Sequence, residues 1–407
     1  MKQLLNAAMV TIALGSAAYA TQFYVDKDGQ VYTQPGEGRT LLEEDTPVTA
    51  KASKLEFSGL HYLGYTYEDR KALAEAGLPE VKTGNFEFRR NYVQVKAFFF
   101  DDPKSYLRVT LDTTYDATNF GANQGGNANM YVKYAYLYLN NILPYTGMEF
   151  GMAHRPWIDY EEHQGWWFRS ISKTFVESAQ AADLTNSADL GINFQTKLPY
   201  FTSEIGLYNG EGYHGQQGTV DRIGTGNSIE WRLTAALLGN GQTKRSATKD
   251  TYFDASFFGQ YNMLNDGNLE YNPDTNNTTA KNYSFYGFHA VYNMPSFLIS
   301  AQYVIAENDN KTTYSKNGSG YSVNGTYRFG NKDQYELLAR YDNWTAKMDN
   351  NPDLTTENYI YGAAWRQNKN LKWLLTGETY IAKDHKNYKG ATVQDFDALL
   401  ITAEVSW

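Results

Sequence analysis

The sequence predicts an all-β protein, a transmembrane antiparallel β-barrel of about sixteen strands with one inward-folded constriction loop. Three observations predict this fold. Segment 397–407 alternates apolar and polar residues and ends in Trp407. The same alternation recurs at intervals from Lys54 to the carboxy-terminus. The connections between these segments alternate between short and long, as they do at the two ends of an outer-membrane barrel.

The last predicted strand shows its two faces clearly. Successive side chains of a strand point to opposite sides of the sheet. One side of this strand is therefore apolar and consists of Leu399, Ile401, Ala403, Val405 and Trp407. A strand of this kind with an aromatic last residue is typical of bacterial outer-membrane barrels. We expect the barrel-assembly machinery to bind this strand.

Period-two alternation predicts about sixteen strands, an even number as in single-chain bacterial barrels. The predicted strands lie near residues 54–67, 86–99, 106–116, 130–140, 147–156, 187–198, 203–209, 227–238, 251–261, 283–293, 297–306, 320–329, 334–344, 358–366, 372–381 and 397–407. Long loops are predicted over 68–85, 117–129, 157–186, 210–226, 262–282, 307–319, 345–357 and 382–396. The other connections are short, except 239–250, which we interpret as an elongated turn. The alternative is that the strands beside it are mispaired.

The chain divides into three predicted parts. A basic start, a short apolar stretch and the site Ala18-Tyr19-Ala20 indicate a signal peptide over 1–20, cleaved after Ala20. Residues 21–53 are predicted to form a periplasmic amino-terminal segment with a small hairpin that turns at Asp28-Gly29. Residues 54–407 form the predicted barrel. No later segment approaches the run of about 20 apolar residues that a membrane helix needs.

The composition excludes one class of exported protein and argues against one kind of partner. The chain has no cysteine, which excludes a disulfide framework. It combines 34 Tyr and 34 Gly with a mean hydropathy of -0.57. A polar chain rich in aromatic residues suits a barrel with a wet lumen and aromatic girdles. The net charge of -9 and the lack of any basic run argue against a nucleic-acid partner.

The two strand faces indicate what the barrel encloses. A charge on the lipid face near the bilayer midplane costs about 2–4 kcal/mol, so the apolar face must contact lipid. A barrel of about sixteen strands is too wide for side chains to fill, which leaves an aqueous channel. We therefore predict a porin in the outer membrane of a Gram-negative bacterium. It would allow passive diffusion of small hydrophilic solutes and ions.

The phase of the alternation assigns charged residues to the lumen. The predicted wall opposite the inward loop carries Arg90, Arg108, Asp112 and Lys133. Over all predicted strands the lumen-facing positive and negative charges nearly balance, which favours a general pore over a dedicated anion site. An anion-selective or phosphate-selective pore is the alternative. On the same phase, Tyr134, Tyr136 and Tyr138 are predicted to face outward as an interfacial girdle.

Loop 157–186 differs from the other predicted loops, which are rich in Asn, Gly and Thr. Its first half combines large aromatic side chains with acids and bases, a poor composition for a solvated loop. We predict that it folds into the lumen as the constriction. The predicted constriction residues are Arg155, Trp157, Asp159, Glu161, Glu162, Arg169 and Lys173.

Four segments, 88–93, 147–157, 188–194 and 205–212, resemble the phosphate-selective porin O and P family. The resemblance covers roughly residues 86–213, and towards the carboxy-terminus only the alternation persists. It implies a sixteen-stranded trimeric channel whose third loop forms the constriction. The expected homotrimer rests on this resemblance alone. Phosphate-selective members of the family line the pore with a ladder of basic residues, from which the mixed charges of this chain depart.

Two other classes of function remain open. An outer-membrane barrel hydrolase would need a nucleophile and a base within reach of each other. None of the histidines stands in a recognisable triad or metal-ligand spacing, and segment 159–163 is the nearest approach to an acid–base cluster. A surface adhesin could use Asn/Thr-rich loops such as 272–279. We expect a protein that is not an enzyme and has no metal or cofactor.

Overall fold

The computed structural model describes most of the chain. The described residues are 24–27, 31–32, 35–41, 54–100, 102–115, 128–210, 212–213, 226–272, 277–309, 317–347, 352–383 and 393–407. The predicted signal peptide, 1–20, lies outside them. In this part of the chain, no helix is both long enough and apolar enough to cross a membrane.

A small three-stranded sheet forms in the amino-terminal segment. Its strands are β1 (Tyr24–Asp26), β2 (Val31–Tyr32) and β3 (Arg39–Leu41). The central strand, β1, pairs antiparallel with both of the others. The pairing of β1 with β2 has the arrangement of the predicted hairpin, while Asp28 and Gly29 lie outside the described residues.

Sixteen further strands form one closed antiparallel barrel, which confirms the predicted fold class. They are β4 (Lys54–Arg70), β5 (Val81–Phe98), β6 (Tyr106–Tyr115), β7 (Ala128–Leu143), β8 (Thr146–His154), β9 (Ala188–Lys197), β10 (Phe201–Tyr208), β11 (Ser228–Leu238), β12 (Tyr252–Asn272), β13 (Asn277–Met294), β14 (Phe297–Asn308), β15 (Gly318–Phe329), β16 (Tyr335–Ala346), β17 (Leu354–Arg366), β18 (Leu371–Lys383) and β19 (Phe396–Ser406). Each strand pairs with its neighbours in sequence. β11 and β12 pair directly, so the connection 239–251 is an elongated turn, as predicted.

The barrel closes where its last strand meets its first. β19 pairs antiparallel with β4. Beyond the strand, the Gly59 amide donates to the Trp407 carbonyl at 3.0 Å, and the Trp407 amide donates to the Gly59 carbonyl at 3.2 Å. The Trp407 indole lies 2.3 Å from where a Cβ on Gly59 would be. Only glycine therefore permits this contact.

Along the strands, exposed apolar side chains on the outer face alternate with buried side chains on the inner face. In β19, Leu399 and Ile401 are 50% and 46% exposed on the outer face, while Leu400 and Thr402 are buried on the inner face. The same division recurs along β14, β15 and β16. The outward face is therefore the apolar one, as a lipid-facing surface requires.

Two β-bulges change which residues face inward. In each bulge one strand carries an extra residue opposite its partner, Arg89 on β5 and Lys133 on β7. Because the extra residue shifts the alternation, Tyr134 and Tyr136 point inward and are only 5% and 2% exposed. Tyr138 lies on the same face and stacks on an inward-facing tyrosine of β6. The prediction of an outward tyrosine girdle is wrong for this reason.

A predicted loop, 262–282, is also largely strand. β12 and β13 continue past the expected ends and pair as far as Asn272 with Asn277. Their register shifts twice, at Asn262/Asn265 and at Asn265/Leu269. The polar composition of this extension indicated a loop, but backbone pairing does not require apolar side chains once a strand extends beyond an apolar surface.

The connection from β8 to β9 turns into the barrel. It begins with helix α1 (Pro156–Gln164), which has proline in its first turn and is followed by the capping residue Gly165. The rest of the connection follows the inner wall back to β9. Only one other helix is found among the described residues, a 3-10 turn over Ala74–Ala76 between β4 and β5.

Candidate pore constriction

Aromatic side chains attach the inward connection to the barrel wall. Trp157 stacks on Phe258 of β12, with ring centroids 3.6 Å apart and planes at 4°. Further along, Trp166, Phe168 and Ile171 pack in a second buried cluster. Their partners on the wall include Leu338, Ile360, Leu374 and Leu400. Burial of each large apolar side chain contributes roughly 1.5–3 kcal/mol, so this side of the connection is docked firmly.

Arg155 anchors the start of α1 and does not face water. Its guanidinium donates to Asp189 at 2.8 Å and to Glu230 at 2.7 Å. It also donates to Thr185 at 2.6 Å and to Gln260 at 2.8 Å. Its residue exposure is only 2%. The structure therefore corrects its predicted place in the pore lining, because these partners hold it inside the wall.

Trp157 and Glu161 also lie on the face of α1 that packs against the wall, away from the water-exposed face of the helix. Residues four apart share one side of a helix, so both point toward the wall. Glu161 is buried and accepts a hydrogen bond from the Gln302 amide of β14. Burial raises the pKa of Glu161 to about 7, an effect that the nearby Arg340 and Gln302 only partly offset. Their predicted role in lining the constriction is thus corrected.

The opposite face of α1 carries the charged groups that reach water. The side chains of Asp159 and His163 are 33% and 63% exposed. The Asp159 carboxylate lies 3.6 Å from the His163 ring and 3.7 Å from the His154 ring of β8. Partial burial opposes ionisation, but His154, His163 and Arg108 outweigh it and lower the pKa of Asp159. Asp159 therefore stays ionised in neutral solution.

Arg169 and Lys173 take different positions in the connection. The Arg169 guanidinium lies between Glu162 at 2.6 Å and Glu177 at 2.5 Å, and it is nearly buried. Arg169 thus braces the connection internally. The Lys173 ammonium is 3.4 Å from Glu177, and its side chain is 51% exposed. Of these two predicted residues, Lys173 meets water.

The wall facing α1 presents arginines stacked on tyrosines. The Arg90 guanidinium lies 4.4 Å from the centre of the Tyr92 ring, and one of its nitrogens is 3.8 Å from Glu162. The Arg108 guanidinium lies 4.7 Å from the centre of the Tyr134 ring. Cation–π contacts hold guanidinium groups in place without neutralising their charge. Arg90 and α1 therefore approach each other across the lumen.

Asp112 and Lys133, the other predicted wall residues, are buried on the inner side of this wall. Asp112 accepts hydrogen bonds from the backbone amide of Asn91 at 2.9 Å and from the Tyr131 hydroxyl at 3.0 Å. The Lys133 ammonium lies 3.3 Å from the centre of the Tyr213 ring. Both residues shape the wall, while Arg90 and Arg108 carry its charge toward α1.

Sequence reasoning missed Arg89, which ties the inward connection to this wall. Its guanidinium donates to the carbonyl oxygens of Ser170 at 2.5 Å and Ile171 at 2.6 Å. Strict alternation turned Arg89 outward, and no local signal marks the bulge that turns it inward. Beside it, a cavity of about 360 Å³ separates residues 171–183 from β4, β5, β18 and β19.

Comparison with known proteins shows which fold the chain shares with solved structures. No protein-family model and no curated protein matches the chain. Among solved structures, Salmonella typhi OmpF in complex with daunomycin matches with a TM-score of 0.57 and 13% identity, over 88% of this chain and 98% of that one. Outer-membrane-expressed OmpT of Vibrio cholerae matches with a TM-score of 0.56 and 13% identity, over 88% and 99%. The fold is that of an outer-membrane barrel.

A third solved structure, OprB of Pseudomonas putida, matches with a TM-score of 0.56 and 9% identity. The match covers 88% of this chain and 94% of that one. At such low identity the likeness concerns the architecture of the outer-membrane barrel. The chemistry of the lumen has to be argued from the side chains of this chain.

Proposed function

We propose that this protein is an outer-membrane porin, a water-filled channel for passive diffusion of small hydrophilic solutes and ions. One observation carries the proposal. Helix α1 is docked inside a closed barrel, and its undocked face turns Asp159 and His163 to water and Glu162 toward Arg90. Asp159 and His163 are 33% and 63% exposed inside the barrel, and they require water around them because an ionised group loses too much solvation in an apolar interior. A solvated path past α1 follows.

The surfaces of the barrel support this function. The outer face is apolar and suits lipid, whereas the inner face carries charged groups. A barrel of sixteen strands leaves room for a channel after its wall is built, and here one connection occupies part of that room. We accordingly place the protein in the outer membrane of a Gram-negative bacterium, after export by the predicted signal peptide 1–20.

Opposed charges define the proposed constriction. Asp159 and Glu162 lie on the helix side, and Arg90 and Arg108 lie on the wall side. Such an arrangement creates a transverse field that orients polar solutes and hinders apolar ones. A general pore for polar solutes is therefore the first candidate.

A preference for anions is the second candidate, and a specific observation favours it. The Arg108 guanidinium bonds to Thr110, Tyr136 and His154. Within the described part of the chain, no carboxylate oxygen lies within 4.0 Å of it. A guanidinium with no carboxylate in direct contact, beside the path, raises the local concentration of anions. The resemblance to phosphate-selective porins makes phosphate the first anion to test.

The test is the reversal potential of the refolded protein in a planar bilayer under a KCl gradient. A defined conductance with weak selectivity would support the general pore, whereas strong anion preference with block by added phosphate would support the second candidate. Arg108→Gln should shift the reversal potential toward cations. Lys104→Gln, on a short exposed turn, is the matched control and should leave it unchanged. Absence of any conductance would count against both candidates.

We further propose that the chain is not an enzyme and assembles as a homotrimer. His154 of β8 contacts Glu149, Asp159 and Arg108, and none of these three is a serine, threonine or cysteine that it could activate as a nucleophile. For the trimer, one solved structure of Vibrio cholerae OmpT is described as a trimer form. Native mass measurement in detergent tests the assembly. The adhesin alternative falls partly on residues 273–276, outside the described residues.

A further inference from the structure

The elongated turn between β11 and β12 folds into the barrel end where the short turns lie. The Gly241 amide donates to the Pro199 carbonyl at 2.8 Å. The Ala247 carbonyl accepts hydrogen bonds from Asn293 at 3.0 Å and from Arg328 at 3.2 Å, and both donors face inward. A turn held by inward-facing side chains of other strands is a built part of the interior.

Arg245 is the side chain of this turn that reaches deepest. Its guanidinium forms an ion pair with Asp254 of β12 at 2.5 Å and lies 4.8 Å from the centre of the Tyr252 ring. The Arg245 and Asp254 side chains are only 8% and 1% exposed. An ion pair this well buried loses much solvation, so each partner depends on the other.

The same carboxylate oxygen of Asp254 also binds α1. The Tyr160 hydroxyl donates to it at 2.6 Å. The neighbouring Tyr252 hydroxyl donates to the carbonyl of Gln164, the last residue of α1, at 3.0 Å. One face of the Tyr252 ring lies against Arg245. Turn 239–251 is therefore connected to both the middle and the end of the helix.

We propose that Arg245 is a positioning residue of the channel, through which turn 239–251 holds α1 against the wall from the opposite end of the barrel. Without the guanidinium, the Asp254 carboxylate keeps Tyr160 as its main partner in a buried site. It must then take up water or a proton, and either change weakens its hold on Tyr160. The inference rests on the proposed function only in treating the position of α1 as the setting of the constriction.

A spin label on α1 tests the link without relying on conductance. The chain has no cysteine, so His163→Cys provides a single labelling site on the water-facing side of the helix. In this background, Arg245→Ala should add a more mobile component to the spectrum. Arg245→Lys should largely restore the parent spectrum. Lys249→Ala, an exposed change in the same turn, is the matched control and should have no effect.

Tyr160→Phe keeps the test valid if Arg245→Ala fails to refold, because it removes only the hydroxyl that contacts Asp254. It too should mobilise the label. In planar bilayers, both variants should increase open-channel current noise several-fold relative to Lys249→Ala. Parent-like spectra for both variants would overturn the positioning role. Mobile labels in a protein that conducts no current would instead support the link and overturn the proposed function.

Discussion

The two sides of the lumen are built on different principles. Along β12 to β19 the inner face is covered by α1 and the connection that follows it, through apolar contacts such as Trp157 on Phe258. Along β4 to β8 the wall opposite α1 carries cations stacked on tyrosines, with Arg90 and Arg108 as the main examples. The first wall is therefore covered by apolar contacts with the inward connection, whereas the second meets it through arginines.

This difference shows that the inner face of a barrel need not be uniformly polar. Phe258, Leu338 and Ile360 are inward-facing and fully or almost fully buried because the connection covers them. On the opposite wall, tyrosine rings form cation–π contacts with guanidinium groups, which remain charged. The following predictions test whether the inward connection on the covered wall stabilises the barrel and narrows the lumen.

The largest effect is expected from removing the covering itself. Deletion of 158–175 takes away most of α1 and the second aromatic cluster, so the free cross-section should grow and single-channel conductance should rise. Planar-bilayer recording measures this directly. Deletion of 311–316, in another predicted long loop, is the control and should have a small effect. Unchanged conductance after the first deletion would show that the connection does not limit the pore.

Arg155 should contribute most among single residues of the docked connection. Arg155→Met leaves Asp189 and Glu230 buried without their cation, a loss of about 3–5 kcal/mol for a broken buried pair. Urea titration of the refolded barrel measures the free energy of unfolding. Arg70→Met is the matched control, because its ion pair with Glu68 is 45% and 22% exposed and should contribute below about 1 kcal/mol. Equal losses in the two variants would contradict the anchoring role.

Two adjacent phenylalanines of β12 allow the stability contribution of an inward-facing side chain to be compared with that of an outward-facing one. Phe258→Ala removes the platform on which Trp157 stacks and should cost about 3 kcal/mol. Phe257→Ala lies on the outward face and should cost less, because lipid replaces the lost contacts. Unfolding followed by tryptophan fluorescence measures both. A larger loss from Phe257→Ala would show that the docked connection adds little to stability.

The smallest effect is expected from pH. The pKa of Glu161 is about 7 when α1 is docked, above the usual value of a glutamate near 4.5. Between these values the docked state binds more protons, so docking should strengthen as the pH falls from about 7 to about 4.5. A spin label at His163→Cys should be less mobile at pH 5 than at pH 8. Glu161→Gln should remove this difference, and a difference that persists would assign it to another group.

Much of the fold was predictable because it depends on local pattern. Period-two alternation located every barrel strand, since each must present an apolar face outward along its own length. Composition alone also separated the connection after β8 from the other loops. Tryptophan and phenylalanine beside acids and bases are poorly suited to solvent, and the structure places them inside the barrel.

The arrangement of the site was decided by partners distant in the chain. Alternation on its own turned Arg89 outward and Tyr134 outward, because a bulge depends on the strand opposite and leaves no local signal. Likewise, the sequence of α1 offers charged residues on several sides of the helix. Which of them meet water was decided by the aromatic contacts that dock one face on β12. The sequence by itself therefore determined the barrel and its inward connection, and tertiary packing decided which charges face the lumen.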